Sequence, residues 1–582
     1  SCKRNNTWQK FSGAQYSLFA ERIAAGLLSL GLQRGDKVAT VFTNNRPEWN
    51  FIDMGIQLAG MIHVPIYPTI SDDDHAYILK HAEVKVVFTS DLSALKKMQP
   101  LAERNDTIKK LYTVNEISDA ENWNELLKLG RENAEKFSGT LESIRKECDP
   151  SEVATIIYTS GTTGQPKGVM LTHENIVSNM LAARHIHNYG KGNRCLSFLP
   201  LCHVFERTIN YHFQLMGISI YYAENMGTIS DNLKEVKPHL FISVPRLLES
   251  VYDKIIMKGR DLGGFKKMIF FWAVSMGMKF NFNRENGWWY HFRLGIADKL
   301  VFSKWRDALG GNAGLIVVGG AALQPRLARI FSAAGIITLE GYGLTETSPV
   351  VAANNQKSGE IMVGTVGPLF ENVQVKISEE GEILVKGPNV MKGYYKDEKM
   401  TAEVIDNDGW LHTGDIGLLV DGKYLKITDR KKEIFKNSAG KYIAPQPIEN
   451  MLKESFFIEQ AMVVGEDEKF ASALISPNFR YLHDWCAERK IKYRDNKELV
   501  RIDEVNRQYQ EEINQCNKQL GQVEQIKRFR LVCEEWTPQS GELSPTLKLK
   551  RNVIYKKYDH ILREIYKYAP DEVNRADKTN RE

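Results

Sequence analysis

Residues 154–172 read ATIIYTSGTTGQPKGVMLT. The β-branched run Ala154 to Tyr158 has the composition of a buried strand, and it ends in Thr159 and Ser160. The next residues, Gly161, Thr162, Thr163, Gly164, Gln165, Pro166, Lys167 and Gly168, cannot continue a strand and form a loop. Four hydroxyls, glycines that let backbone N–H groups approach an anion, and the point charge of Lys167 suit a loop that wraps an oligophosphate. It is not a Walker A loop, because Lys167 is followed by Gly168 rather than by Ser or Thr and the spacing from Gly161 is wrong. The plainer reading, a flexible surface turn, fits poorly with a twelve-residue match directly after a strand.

The same texture extends on both sides. Short apolar runs alternate with helical stretches through the first three quarters of the chain: KVATVF (37–42), MIHVPIY (61–67), VKVVFT (84–89), CLSFLP (195–200), SIYYA (219–223), LFISV (240–244), GLIVVGG (314–320) and GIITLEGYG (335–343). This is the signature of βαβ units and largely parallel sheets, and several runs end in Gly, Ser, Thr or Pro, where open α/β sheets bind ligands. From about Gly364 the strands shorten and look antiparallel, as in GEILVKG (381–387) and DGKYLKITD (421–429), with Asp421-Gly422 as a hairpin turn. The segment after Asp429 is smaller, helix-rich and charged, with its own apolar runs AMVVG (461–465) and ASALISP (471–477). The expected fold is α/β: a large N-terminal domain of βαβ-type sheets with a small β-barrel-like subdomain (1–429), then a smaller α+β domain (430–582).

A chain of 582 residues exceeds a single core. With 77 Lys and Arg against 72 Asp and Glu, the net charge of +5 is too balanced to point to nucleic acid. Seven scattered cysteines with no CxxC spacing suggest neither a disulfide framework nor a zinc site, and a reducing, cytoplasmic compartment is expected. The opening SCKRNNTWQKF has no apolar signal core, reads as a strand before a helix from Tyr16 to Leu30, and looks like a shortened terminus. Met268 to Phe282 is too short, and too interrupted by Lys279 and Asn281, to span a bilayer. A packed amphipathic helix is its main reading, with peripheral contact at the inner face of a membrane as the other.

YTSGTTGQPKGV resembles the phosphate loop of the adenylate-forming superfamily, which includes acyl-CoA synthetases, luciferases and peptide-synthetase adenylation domains. Other segments resemble that family's motifs in order: LPLCHVFER (199–207), GGAAL (319–323), GYGLTET (341–347), WLHTGDIG (410–417), ITDRKKEIFKNSAGKYI (427–443) and LSPTLKLKR (543–551). The resemblance implies that Thr159, Ser160, Gly161, Thr162, Thr163, Gly164 and Lys167 hold ATP phosphates. It likewise places Gly320, Ala321, Gly341, Tyr342 and Gly343 around the adenine, and Asp415 and Arg430 on the ribose. Glu346 is a hard oxygen ligand suited to Mg²⁺ together with phosphate oxygens, and the resemblance adds Thr159 to the metal and Thr345 to the catalytic set. His203 would shape the acyl site, Asp429 would be a hinge, and Gly440 would face the path of coenzyme A. In the terminal motif Leu547 stands where many relatives have glycine, so Lys548 and Lys550 both come near the catalytic position, and register favours Lys548.

Each residue also has a plainer role: a solvated charge or helix cap for Glu346, a turn-capping carboxylate for Asp415, a surface charge for Arg430, and a structural histidine for His203. The resemblance implies ATP-dependent conversion of a carboxylic acid to acyl-AMP, then transfer to coenzyme A, with ATP, CoA and Mg²⁺ required. EWNF (48–51), PIYPT (65–69), HVFER, SPTLKLKR and the charged insertion from about Phe479 to Lys527 look like long-chain fatty acid CoA ligases. Rival readings are an acyl-AMP ligase loading a carrier protein, a medium-chain or aromatic acid CoA ligase, and a non-catalytic binding relative.

Overall fold

The computed structural model describes residues 1–159, 165–282, 286–537, 540–544 and 548–566. Its contacts group the chain into two units: residues 1–376, 384–413 and 419–426 form the first, and residues 377–383, 414–418 and 427 onward the second. The fold is mixed α/β, as the alternation of strands and helices predicts.

Two sheets organise the first unit. One has seven strands in the order Gly393–Tyr394, Lys167–Thr172, Val153–Thr159, Ile62–Ile66, Lys37–Val41, Val84–Thr89 and Lys110–Thr113. Its last five strands run parallel, and Lys167–Thr172 turns back antiparallel on Val153–Thr159. The other has eight strands, in which Ile337–Gly343, Leu315–Val318, Leu240–Ser243, Arg194–Ser197, Ser219–Tyr222 and Cys2–Arg4 are parallel. The parallel strands are near-continuous Val, Ile, Leu and Ala because helices cover both faces. Val38, Val64, Val86, Ile156, Ile316 and Leu339 have no exposed surface.

Local signals behave as their chemistry requires. The opening residues form a hairpin, Cys2–Arg4 with Thr7–Gln9, rather than a single strand. The first helix begins at Gly13, earlier than the expected Tyr16, because Ser12 and Gln15 close a capping box around its first turn. At Asp421 and Gly422 φ is +52° and +66°, and the Lys423 N–H donates to the Val420 carbonyl, which is the left-handed two-residue turn that Asp-Gly favours. This turn joins Leu411–Val420 to Tyr424–Arg430, two members of a four-stranded sheet that stands where a barrel-like subdomain was expected.

In the second unit, strands Ile458–Val464, Ser472–Pro477 and Arg528–Leu531 form one sheet, beside the small hairpin Phe435–Lys436 with Tyr442–Ile443. The charged insertion folds into helices Phe479–Arg489 and Asp503–Asn517, which send Leu482, Trp485, Val505, Tyr509 and Ile513 into the core of this unit. Its charges lie on the opposite, solvated faces, so high charge here marks amphipathic helices rather than an appendage.

One buried ionic cluster ties the first unit together. Arg207, on the helix Val204–Leu215, donates to Asp53 of the helix Pro47–Leu58 and to the Thr155 hydroxyl at 2.7 Å. His63 Nδ1 lies 2.6 Å from Asp53, and Tyr211 also donates to Asp53. Burial opposes the charge of Asp53, but Arg207 and His63 more than offset this and hold its carboxyl down at about 2. Removing one partner strands the other without water. Asp53→Ala is therefore expected to destabilise the first unit by about 3–5 kcal/mol, and Asp53→Ala with Arg207→Met to recover much of the loss. Urea unfolding of both variants checks this; equal loss in the single and double variants would refute the charge argument.

Candidate functional site

Cross-strand register puts Thr159 opposite Lys167 at the end of an antiparallel strand pair. Ser160, Gly161, Thr162, Thr163 and Gly164 lie outside the described residues. At this end of the pair the Lys167 ammonium sits over the ring of Tyr394, 5.2 Å from its centroid. Tyr394 pairs with Val169 at the sheet edge, and its hydroxyl donates to Glu346 Oε1 at 2.9 Å. The main chain repeats the link, since the Met391 N–H donates to the Glu346 carbonyl at 2.8 Å. Lys167 and Glu346, far apart in sequence, are thereby held on either side of one buried phenol. Burial and the Glu346 charge push that phenol's pKa up, so it remains a hydrogen-bond donor.

Glu346 and Thr345 belong to a single 3₁₀ turn, Thr345–Thr347, directly after the strand Ile337–Gly343. Gly343 has to be glycine: a β-carbon there would lie 1.7 Å from the Pro349 carbonyl oxygen. The close approach belongs to a register shift between Tyr342 and Gly343 against Val350–Ala353, which leaves Tyr342 half-buried at the strand end. In the neighbouring parallel strand, Val318 leads into Gly319, Gly320 and Ala321, and Gly320 takes φ +86°. Gly320 and Ala321 are exposed beyond the strand's carboxyl end, the usual ligand position in such sheets.

His203 is the N-cap of Val204–Leu215; its Nδ1 accepts from the Phe205 N–H at 3.1 Å. In the neutral ring this places the proton on Nε2. The structural role expected of a lone histidine is therefore real, and it also fixes the ring edge-on to Tyr67 of PIYPT at 6.4 Å. Phe205 packs on Gly319, where an added β-carbon would lie 3.1 Å from the ring. The HVFER segment is thus seated against the GGAAL turn.

Other sequence-derived residues fall in the second unit. Asp415, 3% exposed, accepts from Arg430 Nε at 3.2 Å. Asp429 is buried, with Oδ1 accepting from the Arg430 N–H at 2.6 Å and Oδ2 without a partner among the described residues. Burial, with Glu433 and Glu449 nearby, pushes its carboxyl up to about 7. Gly440 takes φ +71° in the turn between Phe435–Lys436 and Tyr442–Ile443, with open space where a β-carbon would be. Lys548 is exposed; the Ser544 N–H donates to its carbonyl at 2.8 Å, and its own N–H donates to Ser544 Oγ at 3.0 Å. Shortly after it, partly buried Arg551 donates from Nη2 to both oxygens of buried Glu449 at 2.7 and 2.8 Å, anchoring the helix Arg551–Tyr566.

Tyr394 is the contact that sequence reasoning missed. It lies in GYYKD, without periodicity to mark it, and only pairing at the sheet edge brings it over Lys167. Glu340 was missed for a similar reason. Its carboxyl is buried one residue before Gly341 and accepts from the Leu323 N–H at 3.4 Å, joining the GYGLTET strand to the GGAAL turn.

A carboxylate turn and a strand-end glycine turn thus follow neighbouring parallel strands of one α/β sheet. Residues 2–395 match the AMP-binding enzyme family, and residues 433–570 match the AMP-binding enzyme C-terminal domain. The chain belongs to the AMP-binding enzyme family. It is 33% identical over 574 residues to a long-chain-fatty-acid CoA ligase of Mycobacterium bovis, covering 97% of this chain and 93% of the relative. It is also 33% identical to the peroxisomal long chain acyl-CoA synthetase 6 of Arabidopsis thaliana, covering 94% and 80%. The adenylation domain of a carboxylate reductase from Mycobacterium chelonae shares the fold, with a TM-score of 0.73 at 21% identity, covering 96% of this chain and 84% of that one.

Burial pushes the Glu340 carboxyl up to about 8, against the opposing pull of the Leu323 and Gly364 N–H groups. Its unfolded value is about 4.3, so between these two values the folded state holds a proton that the unfolded state has lost, and stability falls as pH rises. Glu340→Gln keeps an acceptor and removes the titration. Relative to the parent, it is expected to gain on the order of 1–3 kcal/mol between pH 5 and pH 8, read from urea midpoints across that range. A pH-independent difference would mean that Glu340 is charged in the fold.

Proposed function

We propose that the chain is an ATP-dependent, AMP-forming long-chain fatty acid CoA ligase. The carrying observation is likeness over nearly the whole chain to ligases named for that reaction, at about one-third identity. In the first half-reaction a carboxylate oxygen attacks the α-phosphorus of ATP, and pyrophosphate leaves. In the second, the thiol of coenzyme A attacks the acyl carbonyl, and AMP leaves.

The assigned roles follow from what the residues can do. The segment from Thr159 to Lys167 binds the phosphates; Gly320, Ala321 and Gly341 to Gly343, with the Tyr342 ring, receive the adenine; and Asp415 with Arg430 binds the ribose hydroxyls. His203 and Phe205 border the acyl carboxylate. Glu346 is a half-buried carboxylate that accepts from the neutral Tyr394 phenol, a ligand type that fits Mg²⁺ with phosphate oxygens and the Thr159 hydroxyl. The metal would supply charge neutralisation at the phosphates. Asp429 is the hinge between domains 1–429 and 430–582, Gly440 borders the pantetheine path, and Lys548 offsets the charge that builds on the α-phosphate during adenylation.

The deciding experiment is ATP–pyrophosphate exchange with acids from acetate to long-chain fatty acids, followed by addition of CoA. Exchange best supported by long-chain acids, with acyl-CoA formed afterwards, is the expected result. Exchange without thioester would favour a carrier protein as acceptor. Glu346→Gln should raise the magnesium concentration needed for pyrophosphate release, and an unchanged dependence would remove Glu346 from the metal site.

Losing a group aimed at developing charge costs on the order of 10²- to 10³-fold in rate, whereas removing a solvated charge is nearly neutral. Lys548→Ala should therefore lose adenylation by that factor while converting preformed acyl-AMP and CoA at near the parent rate. Lys550→Ala should keep both half-reactions. Normal adenylation by Lys548→Ala would overturn the assignment.

A further inference from the structure

Helix Gly287–Ala297 reads GWWYHFRLGIA and, among its residues, buries only Ala297. Trp288, Phe292, Ile296 and Leu300 recur at every fourth position and are all exposed, Trp288 by 77% and Phe292 by 57%. Such a stripe normally faces a core. Trp289 widens it, stacked on Phe292 with ring centroids 5.5 Å apart. The preceding helix, Gly264–Met278, fixes the placement: the Tyr290 hydroxyl donates to the Met276 carbonyl at 2.7 Å, and the Arg293 guanidinium lies over the Trp272 ring at 5.6 Å. Later residues of one helix thus meet earlier residues of the other, so the two run antiparallel. Phe265 and Met268, 69% and 60% exposed, come to the Ile296 end of the stripe.

The charge on this face has one sign. Among the described residues from Leu262 to Ala297 there are four basic side chains, Lys266, Lys267, Lys279 and Arg293, and no acidic one. The intervening Asn283, Arg284 and Glu285 add no net charge, and the charge of Asp298, between Ile296 and Leu300, is met by Arg306. We propose that these two helices are a docking surface for an anionic phospholipid bilayer, lying in its interface with the aromatic stripe inserted and the lysines against the headgroups. Exposed Trp and Phe beside Lys and Arg match the interfacial layer, where aromatic rings and cationic groups are both accommodated. A second copy of this chain is disfavoured, because a two-fold contact would set the same basic face against itself. Among the described residues no helix is long and apolar enough to cross a membrane, so the contact is peripheral. The surface goes beyond the proposed reaction, although a bilayer is also where a long-chain acid partitions.

The test is co-sedimentation of the full chain with phosphatidylcholine vesicles, with and without phosphatidylglycerol. The parent should bind the anionic vesicles more tightly, with binding weakened by salt. Each basic residue near such a surface contributes roughly fivefold in partitioning, so Lys266→Glu with Lys267→Glu should lose at least that factor on anionic vesicles. Trp288→Ala with Trp289→Ala and Phe292→Ala should lose binding to both vesicle types. All variants should retain parent ATP–pyrophosphate exchange with a water-soluble acid and parent circular dichroism, which separates this test from that of the reaction. No vesicle binding by the parent, or unchanged binding by the aromatic variant, would overturn the proposal. So would a parent dimer, by sedimentation velocity, that the aromatic variant converts to monomer, because the face would then be a contact between copies.

Discussion

The Arg207 guanidinium is the constraint on which the first unit turns. It is 1% exposed, and its charge is met by Asp53, at 0%, with Tyr211 and Thr155 completing the donors and acceptors around it. A charge so deprived of water persists only when every partner is in place, so the cluster admits one arrangement of the elements that carry it. Those elements are the helix after LPLCH, the helix Pro47–Leu58 and the strand Val153–Thr159. The Thr155 hydroxyl also donates to the His63 carbonyl, which couples the cluster to the strand next to Val153–Thr159 in the sheet. The helix Val204–Leu215 and the strand Val153–Thr159 are therefore set against each other by buried electrostatics rather than by apolar packing alone.

From that frame the site is assembled by main-chain geometry. The Glu346 turn has its position because Gly343 lets the chain pass against Pro349, and the GGAAL turn because Phe205 lies on Gly319. Tyr394 then connects the two functional charges, one face of its ring toward Lys167 and its hydroxyl on Glu346. A phenol with a high pKa is well suited to this, as it neither competes for the lysine's charge nor neutralises the carboxylate. Elsewhere, Arg551 and Glu449 repeat the logic of Arg207 on a smaller scale. Nη2 of partly buried Arg551, on both oxygens of buried Glu449, fixes the root of the terminal helix three residues after Lys548.

Polarity is distributed with the opposite emphasis at the helices from Gly264 to Ala297. There the buried face is narrow and the exposed one holds tryptophan and phenylalanine. The apolar run from Met268 reads from sequence as a packed helix. Its second half is packed, through Ala273, Val274, Met276 and Gly277, whereas Phe265 and Met268 at its start face outward. Hydrophobicity alone could not separate these halves, since periodicity identifies a stripe but not what covers it.

The sequence by itself determined the alternation of strands and helices, the hairpin turn at Asp421-Gly422, the glycine-rich segment at a strand end and the order of the family's motifs. These are local properties: β-branched runs, residues able to take positive φ, and spacings short enough for neighbouring residues to cooperate. Only the tertiary structure decided that Tyr394 stands between Lys167 and Glu346, that Glu340 is buried behind the GGAAL turn, and that Arg207 faces Asp53 rather than solvent. Residues 154 positions apart have no local signal linking them. Burial, and with it the cost of a charge and the meaning of an aromatic side chain, exists only once the sheets have brought distant segments together.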